Sequence, residues 1–336
     1  MKRETYYDYI RAFAALLVLF AHKGKLPGGA IGVSIFFCLS GFLITRILMG
    51  LPELSFPNLA KFIFRRWMRI FPLYVAAILA TYLLMRQFRP DLLGVFLSFV
   101  PGLLTFTSFT PDVGFSVAIF WTLQAEFWFY ATFPFVFALC YPRGLLMPAA
   151  FALIGVSFWA KFSIPLVLAF SFTPLLTLIY LDQLMFGVIC ALLIGNKSSV
   201  IHLFRSRWWF WGALATTLVT SKLSHLTFWY YETSAAALLC AIAILHHAAD
   251  PKELKDNFVA WLGRISFSIY LVHGVVRDYL PAKDIPDKLD TPSFILVVLV
   301  ISHFTERFIE RPGIRFSKAI ARYTRSAKST FDQVRS

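Results

Sequence analysis

Arg11 and His22 stand eleven residues apart in an apolar stretch near the start of the chain. At about 100° per residue, that separation leaves them about 20° apart around a helix and roughly 16 Å apart along it. They line one face at two depths. Asp8, three residues before Arg11, is at the spacing of a pair on the helix surface. An imidazole, whose ordinary pKa is ~6.5, is suited to moving a proton near neutral pH. A charged group at mid-bilayer costs at least ~2.5–3.5 kcal/mol on insertion scales, so charges kept in such a stretch suggest a polar path. The alternative is that Arg11 snorkels to the interface and His22 ends the helix among headgroups.

Three other groups carry chemistry. Glu126, with Gln124, lies among aromatics in Trp121–Tyr130, about a third of the way into an apolar segment. A carboxylate there needs a partner or a cavity; it can orient an imidazole or balance an arginine, or form a structural pair with a base on another helix. Arg66 and Arg69, one helical turn apart and followed by Pro72-Leu73-Tyr74, offer forked donors that suit phosphates. Anchoring to lipid headgroups is the alternative role. Ser266, Tyr270 and His273 follow at spacings of four and three and share a helical face. His202, His225, His246 and His247 have no metal-ligand spacing, and the four cysteines form no CxxC, so no metal site or disulfide is expected.

The elements that must position these groups are membrane helices. Of 336 residues, 58% are hydrophobic and 15% charged, and mean hydropathy is +0.69; soluble domains average about 25% charged. The net charge of +14 follows the positive-inside rule, with bases in short loops and in the tail after Pro312. No nucleic-acid partner is expected. The reading is all-α and polytopic, with about ten transmembrane helices. The expected spans are Tyr7–Ala21, Ala30–Met49, Ile70–Leu84, Val117–Cys140, Leu145–Ala160, Pro174–Ile194, Trp208–Ser221, Phe228–Leu245, Phe258–Val276 and Thr291–Phe308. Leu92–Pro111, interrupted by Gly94, Pro101 and Gly102, is read as re-entrant or interfacial. The Ser40-Gly41 pair permits close helix approach. The basic stretch Lys61–Arg69 is read as a cytoplasmic loop, and Pro312 as the stop of the last helix. Both termini are then cytoplasmic. The expected division is a transmembrane domain over 1–312 and a basic tail over 313–336.

Six blocks in order make the chain resemble the acyltransferase-3 family of integral-membrane acyltransferases. Arg11 and His22 match its basic residue, ten intervening residues and histidine. Gly32–Ile44 match its second-helix block, with Ser34 where many members have Asp. Arg66 and Arg69 before Pro72 match R-x-x-R before P-L-Y, and Trp121, Glu126 and Tyr130 match the fourth block, with Phe127 and Trp128 in place of a second acid and a Gln. Leu262–His273 match the fifth, with Phe267 for the usual Tyr, and Glu310–Pro312 match the terminal E-R-P.

The resemblance implies a membrane O-acyltransferase of a bacterial inner membrane. Acetyl would pass from cytoplasmic acetyl-CoA, a co-substrate and not a resident cofactor, to a hydroxyl of an extracytoplasmic or lipid-linked carbohydrate of O-antigen or exopolysaccharide type. A succinyl or longer acyl donor is the variant within the class; a secondary transporter or flippase is the alternative outside it. On this reading His22 is the base or acyl-carrying nucleophile, Glu126 orients or balances charge, and Arg11 serves the donor end. Arg66, Arg69 and Tyr74 form the donor site, and Asp8, Ser40, Trp121, Ser266, Tyr270 and His273 support it. Ser34 removes one carboxylate that relatives carry.

Overall fold

The computed structural model describes residues 4–24, 29–85, 119–165, 168–169, 174–223, 229–279 and 287–320. Twelve α-helices occur among them: α1 Thr5–His22, α2 Gly29–Met49, α3 Phe56–Met85, α4 Trp121–Cys140, α5 Leu146–Ser163, α6 Pro174–Ile179, α7 Leu181–Gly195, α8 Trp208–Leu223, α9 Trp229–Ala249, α10 Phe258–Arg264, α11 Ser266–Tyr279 and α12 Asp287–Thr305. No strand occurs among the described residues. This agrees with the all-α reading.

Six of the helices are long and apolar enough to cross a membrane: α2, α3, α4 (to Arg143), α5, the Glu232–Ala249 part of α9, and Asp290–Ile320. Two bent pairs raise the number to eight if each is one span. Leu181–Gly195 turns by 112° into Ser199–Arg205, and Phe258–Arg264 by 73° into Ser266–Asp278. The expected ten are therefore not reached among the described residues. The shortfall has physical causes. α1 has the length of a span, but Tyr6, Tyr7, Asp8, Tyr9 and Arg11 make one end polar. α8 has only 16 residues. Leu92–Pro111 lies outside the described residues, as do His225 and Arg86–Asp91.

Two local expectations are corrected. Lys61–Arg69 is not a loop: α3 begins at Phe56 and carries the basic cluster and Pro72 inside one 30-residue helix. Nor does Pro312 stop the last helix, which runs on to Ile320. A π-helical turn at Glu306–Glu310 precedes the proline. Pro312 has no N–H to donate, and the wider turn accommodates both its ring and the missing bond.

Packing then sets where each face points. On α1, Ala12, Ala15 and Leu19 lie at helical spacing and join a cluster with Ile265, Ile269 and Val272 of the α10–α11 region. α2 packs most extensively on α7. A Cβ on Gly41 would sit 1.9 Å from the Leu184 carbonyl oxygen, and one on Gly187 2.0 Å from that of Cys38. Only a residue without a side chain allows these backbones to meet, as the small-residue rule for membrane helices requires. That contact leaves Ser40, about 100° further around α2 from Gly41, to face the neighbouring helix that carries Glu126.

Candidate active site

A cavity of about 100 Å³ lies where α1, α2, α3, α4 and α11 converge. Its polar lining is Arg11, Ser40, Arg66, Arg69, Thr122, Glu126, Tyr130, Ser266 and Tyr270; its apolar walls include Phe36, Phe37 and Leu123. Each helix supplies its residues at turn spacing. Arg66 and Arg69 lie one turn apart on α3, and Glu126 and Tyr130 one turn apart on α4.

Within the cavity the charges are organised. Ser40 Oγ and Tyr130 Oη both donate to Glu126 Oε1, and the two hydroxyls are 3.2 Å apart. Glu126, Arg69 and Arg11 all lie within electrostatic reach of Arg66. Arg11 Nη1 donates to Asp8 Oδ1 at 2.9 Å, the three-residue pair expected from the spacing, and Asp8 is buried. From the far side Glu310, on the π-turn, accepts from Ser268 Oγ at 3.1 Å and feels the charges of Arg69 and Arg11. Three guanidinium groups with fixed acidic neighbours are thereby held in a small, largely apolar space. Such forks can grip an anionic group without first losing a full water shell.

The second feature lies beyond the cavity. His22 ends α1, and its Nδ1 is 3.0 Å from Nε2 of His273 on α11. The rings stack, with centroids 5.0 Å apart and planes 20° from parallel. His273 is buried, and its Nδ1 faces the Tyr270 carbonyl oxygen at 2.6 Å. Tyr270 connects the two features. Its ring lines the cavity, and its Oη donates to the Ile119 carbonyl at 2.9 Å and accepts from Thr122 Oγ1 at 2.8 Å. Arg11 and His22 both look toward α11, as their shared helical face requires.

The structure thus gathers seven of the expected residues at the cavity (Arg11, Ser40, Arg66, Arg69, Glu126, Ser266 and Tyr270), with Asp8 held through Arg11. It places His22 and His273 together, outside the lining. Two others sit apart from both. Tyr74 is fully buried against Phe120 and hydrogen-bonds Gln124. Trp121 packs on Tyr180 and Phe37. Glu126 is grouped with an arginine and two hydroxyls; the imidazole partner of His22 is His273. Sequence reasoning gave no role to Tyr130, Glu310 or Thr122. Tyr130 had a signal in its spacing of four from Glu126, and Glu310 in the terminal E-R-P block. Thr122 had none.

A family model described as an acyltransferase domain matches residues 4–304. The protein named "Putative acetyltransferase ORF330", from Acidianus two-tailed virus, is 25% identical over 290 residues, covering 81% of this chain and 82% of its own length. SACOL0978 of Staphylococcus aureus strain COL, whose name reads O-acetyltransferase with the same qualifier, is 23% identical over 91% of this chain, which spans 56% of that protein. Peptidoglycan O-acetyltransferase OatA of Listeria monocytogenes is 36% identical over 104 residues, 28% of this chain and 17% of OatA. No solved structure matches the chain. The cavity with its charged lining lies wholly within the matched residues, and the chain belongs to the acyltransferase-3 family of membrane O-acetyltransferases.

Proposed function

We propose that the chain moves an acetyl group from acetyl-CoA on the cytoplasmic side to a hydroxyl of a carbohydrate on the opposite side of a bacterial inner membrane. The observation that carries this reading is the arginine-lined cavity, joined through Tyr270 to the His22–His273 pair. Arg66 and Arg69 hold the donor's phosphates. Arg11 meets the donor where α1 borders the cavity. His22 takes the hydroxyl proton or carries the acetyl group. The acceptor is a surface glycan of O-antigen or exopolysaccharide type, free or lipid-linked. OatA, by its name, acetylates peptidoglycan, which is also a carbohydrate.

Purified protein in detergent or vesicles, given acetyl-labelled acetyl-CoA and a lipid-linked glycan fraction, is expected to transfer label to the glycan. Movement of substrate across vesicles with no transfer would favour a transporter. Transfer from succinyl-CoA and not from acetyl-CoA would change the donor within the class.

The basic stretch of α3 and the bases after Pro312 support cytoplasmic termini, since Lys and Arg are retained on that side. A reporter that fluoresces only in the cytoplasm, fused after Arg335, is expected to light up. An active periplasmic phosphatase at that position would reverse the topology.

A further inference from the structure

The hydrogen bonds around His273 decide which nitrogen of His22 can react. A carbonyl oxygen only accepts, so the His273 Nδ1 facing Tyr270 must carry the proton. The Ile269 carbonyl also bonds the His273 ring. In a neutral imidazole the other nitrogen then holds the lone pair, so His273 Nε2 is an acceptor. The atom across from it, His22 Nδ1, must therefore donate, and the His22 ring also bonds the Val18 carbonyl one turn back on α1. This leaves the lone pair of His22 at Nε2. Gly29, at the start of α2, lies beside that nitrogen: a Cβ there would be 3.5 Å from Nε2.

We propose that His273 is a positioning residue for His22, holding its ring in the tautomer with Nδ1 protonated and Nε2 basic, and sharing the charge when His22 becomes an imidazolium. The inference deepens the acetyl-transfer reading and rests on it. In the direct route the acceptor O–H bond breaks and its proton goes to His22 Nε2. The oxygen bonds to the thioester carbonyl carbon, the C–S bond breaks, and the departing thiolate takes the proton from Nε2 to leave as a thiol. In the covalent route Nε2 attacks the same carbon, the C–S bond breaks and the thiolate departs; the acceptor oxygen then bonds to that carbon, the C–N bond breaks, and the acceptor's proton passes by the freed Nε2 to the thiolate. Both need the lone pair on Nε2 and a proton on Nδ1. A carboxylate does this orienting work in hydrolase triads. Here a neutral imidazole does it, in a site where a lone buried carboxylate would be costly. The charge that faces this pair is Arg277, one turn further along α11; Lys23, next to His22, is engaged by Asp290 at 2.7 Å. A neutral partner adds no further charge to that end of the molecule.

Three substitutions test it. His273→Leu keeps the volume and removes the acceptor; kcat for acetyl transfer is expected to fall on the order of 10²-fold or more, with KM for acetyl-CoA nearly unchanged. His273→Gln places an amide oxygen near the position of Nε2 and is expected to recover at least tenfold over His273→Leu. His273→Gly opens a void that added imidazole is expected to fill, restoring transfer in proportion to its concentration. Wild-type kcat in a His273→Leu protein that still binds acetyl-CoA overturns the proposal. If the leucine variant does not fold, His273→Gly decides: binding of acetyl-CoA without imidazole rescue also overturns it. Failure of this proposal is distinct from failure of the function: His22→Ala would then remain inactive while the His273 variants turned over. Full activity of His22→Ala would instead overturn the reading on which it rests.

Discussion

Replacing His22 with alanine is expected to abolish glycan acetylation while leaving expression and acetyl-CoA affinity close to wild type. The ring lies outside the arginine-lined cavity, so its loss leaves in place the guanidinium groups that hold the donor's phosphates in this reading. It does remove the one imidazole of α1, the group suited to take a proton or an acyl group near neutral pH. General acid–base assistance is typically worth about 10²–10⁴-fold, and the loss in kcat should be at least of that order. Helix geometry supplies a sharper control. One Ala inserted between Val18 and Leu19 keeps both Arg11 and His22 but turns His22 by about 100° relative to Arg11. It also turns Leu19 away from the Ile269 and Val272 cluster, so acetyl-CoA binding must be measured alongside as evidence of folding. Near wild-type acetylation by either variant would show that His22 only ends the helix.

Removing a guanidinium from α3 should act at the other end of the path. Arg66→Ala or Arg69→Ala is expected to weaken acetyl-CoA binding by roughly 10- to 100-fold, since hydrogen bonds to charged groups contribute about 1.5–3 kcal/mol and 1.4 kcal/mol is tenfold. Arg→Lys at either position should recover only part, because an ammonium is a point charge and cannot make the two parallel bonds of a fork. Of the two, Arg66→Ala should also disturb the cavity without ligand, because Glu126 then loses a balancing charge while still bonded to Ser40 and Tyr130. Titration calorimetry on purified protein reads both effects. Unchanged affinity in both alanine variants would leave this cluster as an anchor for lipid headgroups. Because residues in one site act as a unit, the His22 and arginine defects need not add.

The sequence by itself determined what depends on near neighbours. Apolar runs of membrane length gave the helical class and most segment positions. The spacing of Asp8 and Arg11 gave their ion pair, and Ser40-Gly41 marked a close helix crossing, because three-residue and single-residue relations are fixed by helix geometry alone. The six ordered blocks gave the family.

The tertiary structure decided what depends on packing between distant segments. Ser40 reaches Glu126 across 86 residues, and His273 reaches His22 across 251; no local pattern encodes either distance. The 73° break before Ser266 and the π-turn ahead of Pro312 were equally hidden, since hydropathy reports how apolar a segment is and not how its axis bends. Glu126 was legible as a buried carboxylate that needed a partner, but its partners were not. A helix offers several faces to several neighbours, and close packing at contacts such as Gly41 on Leu184 selects which faces meet.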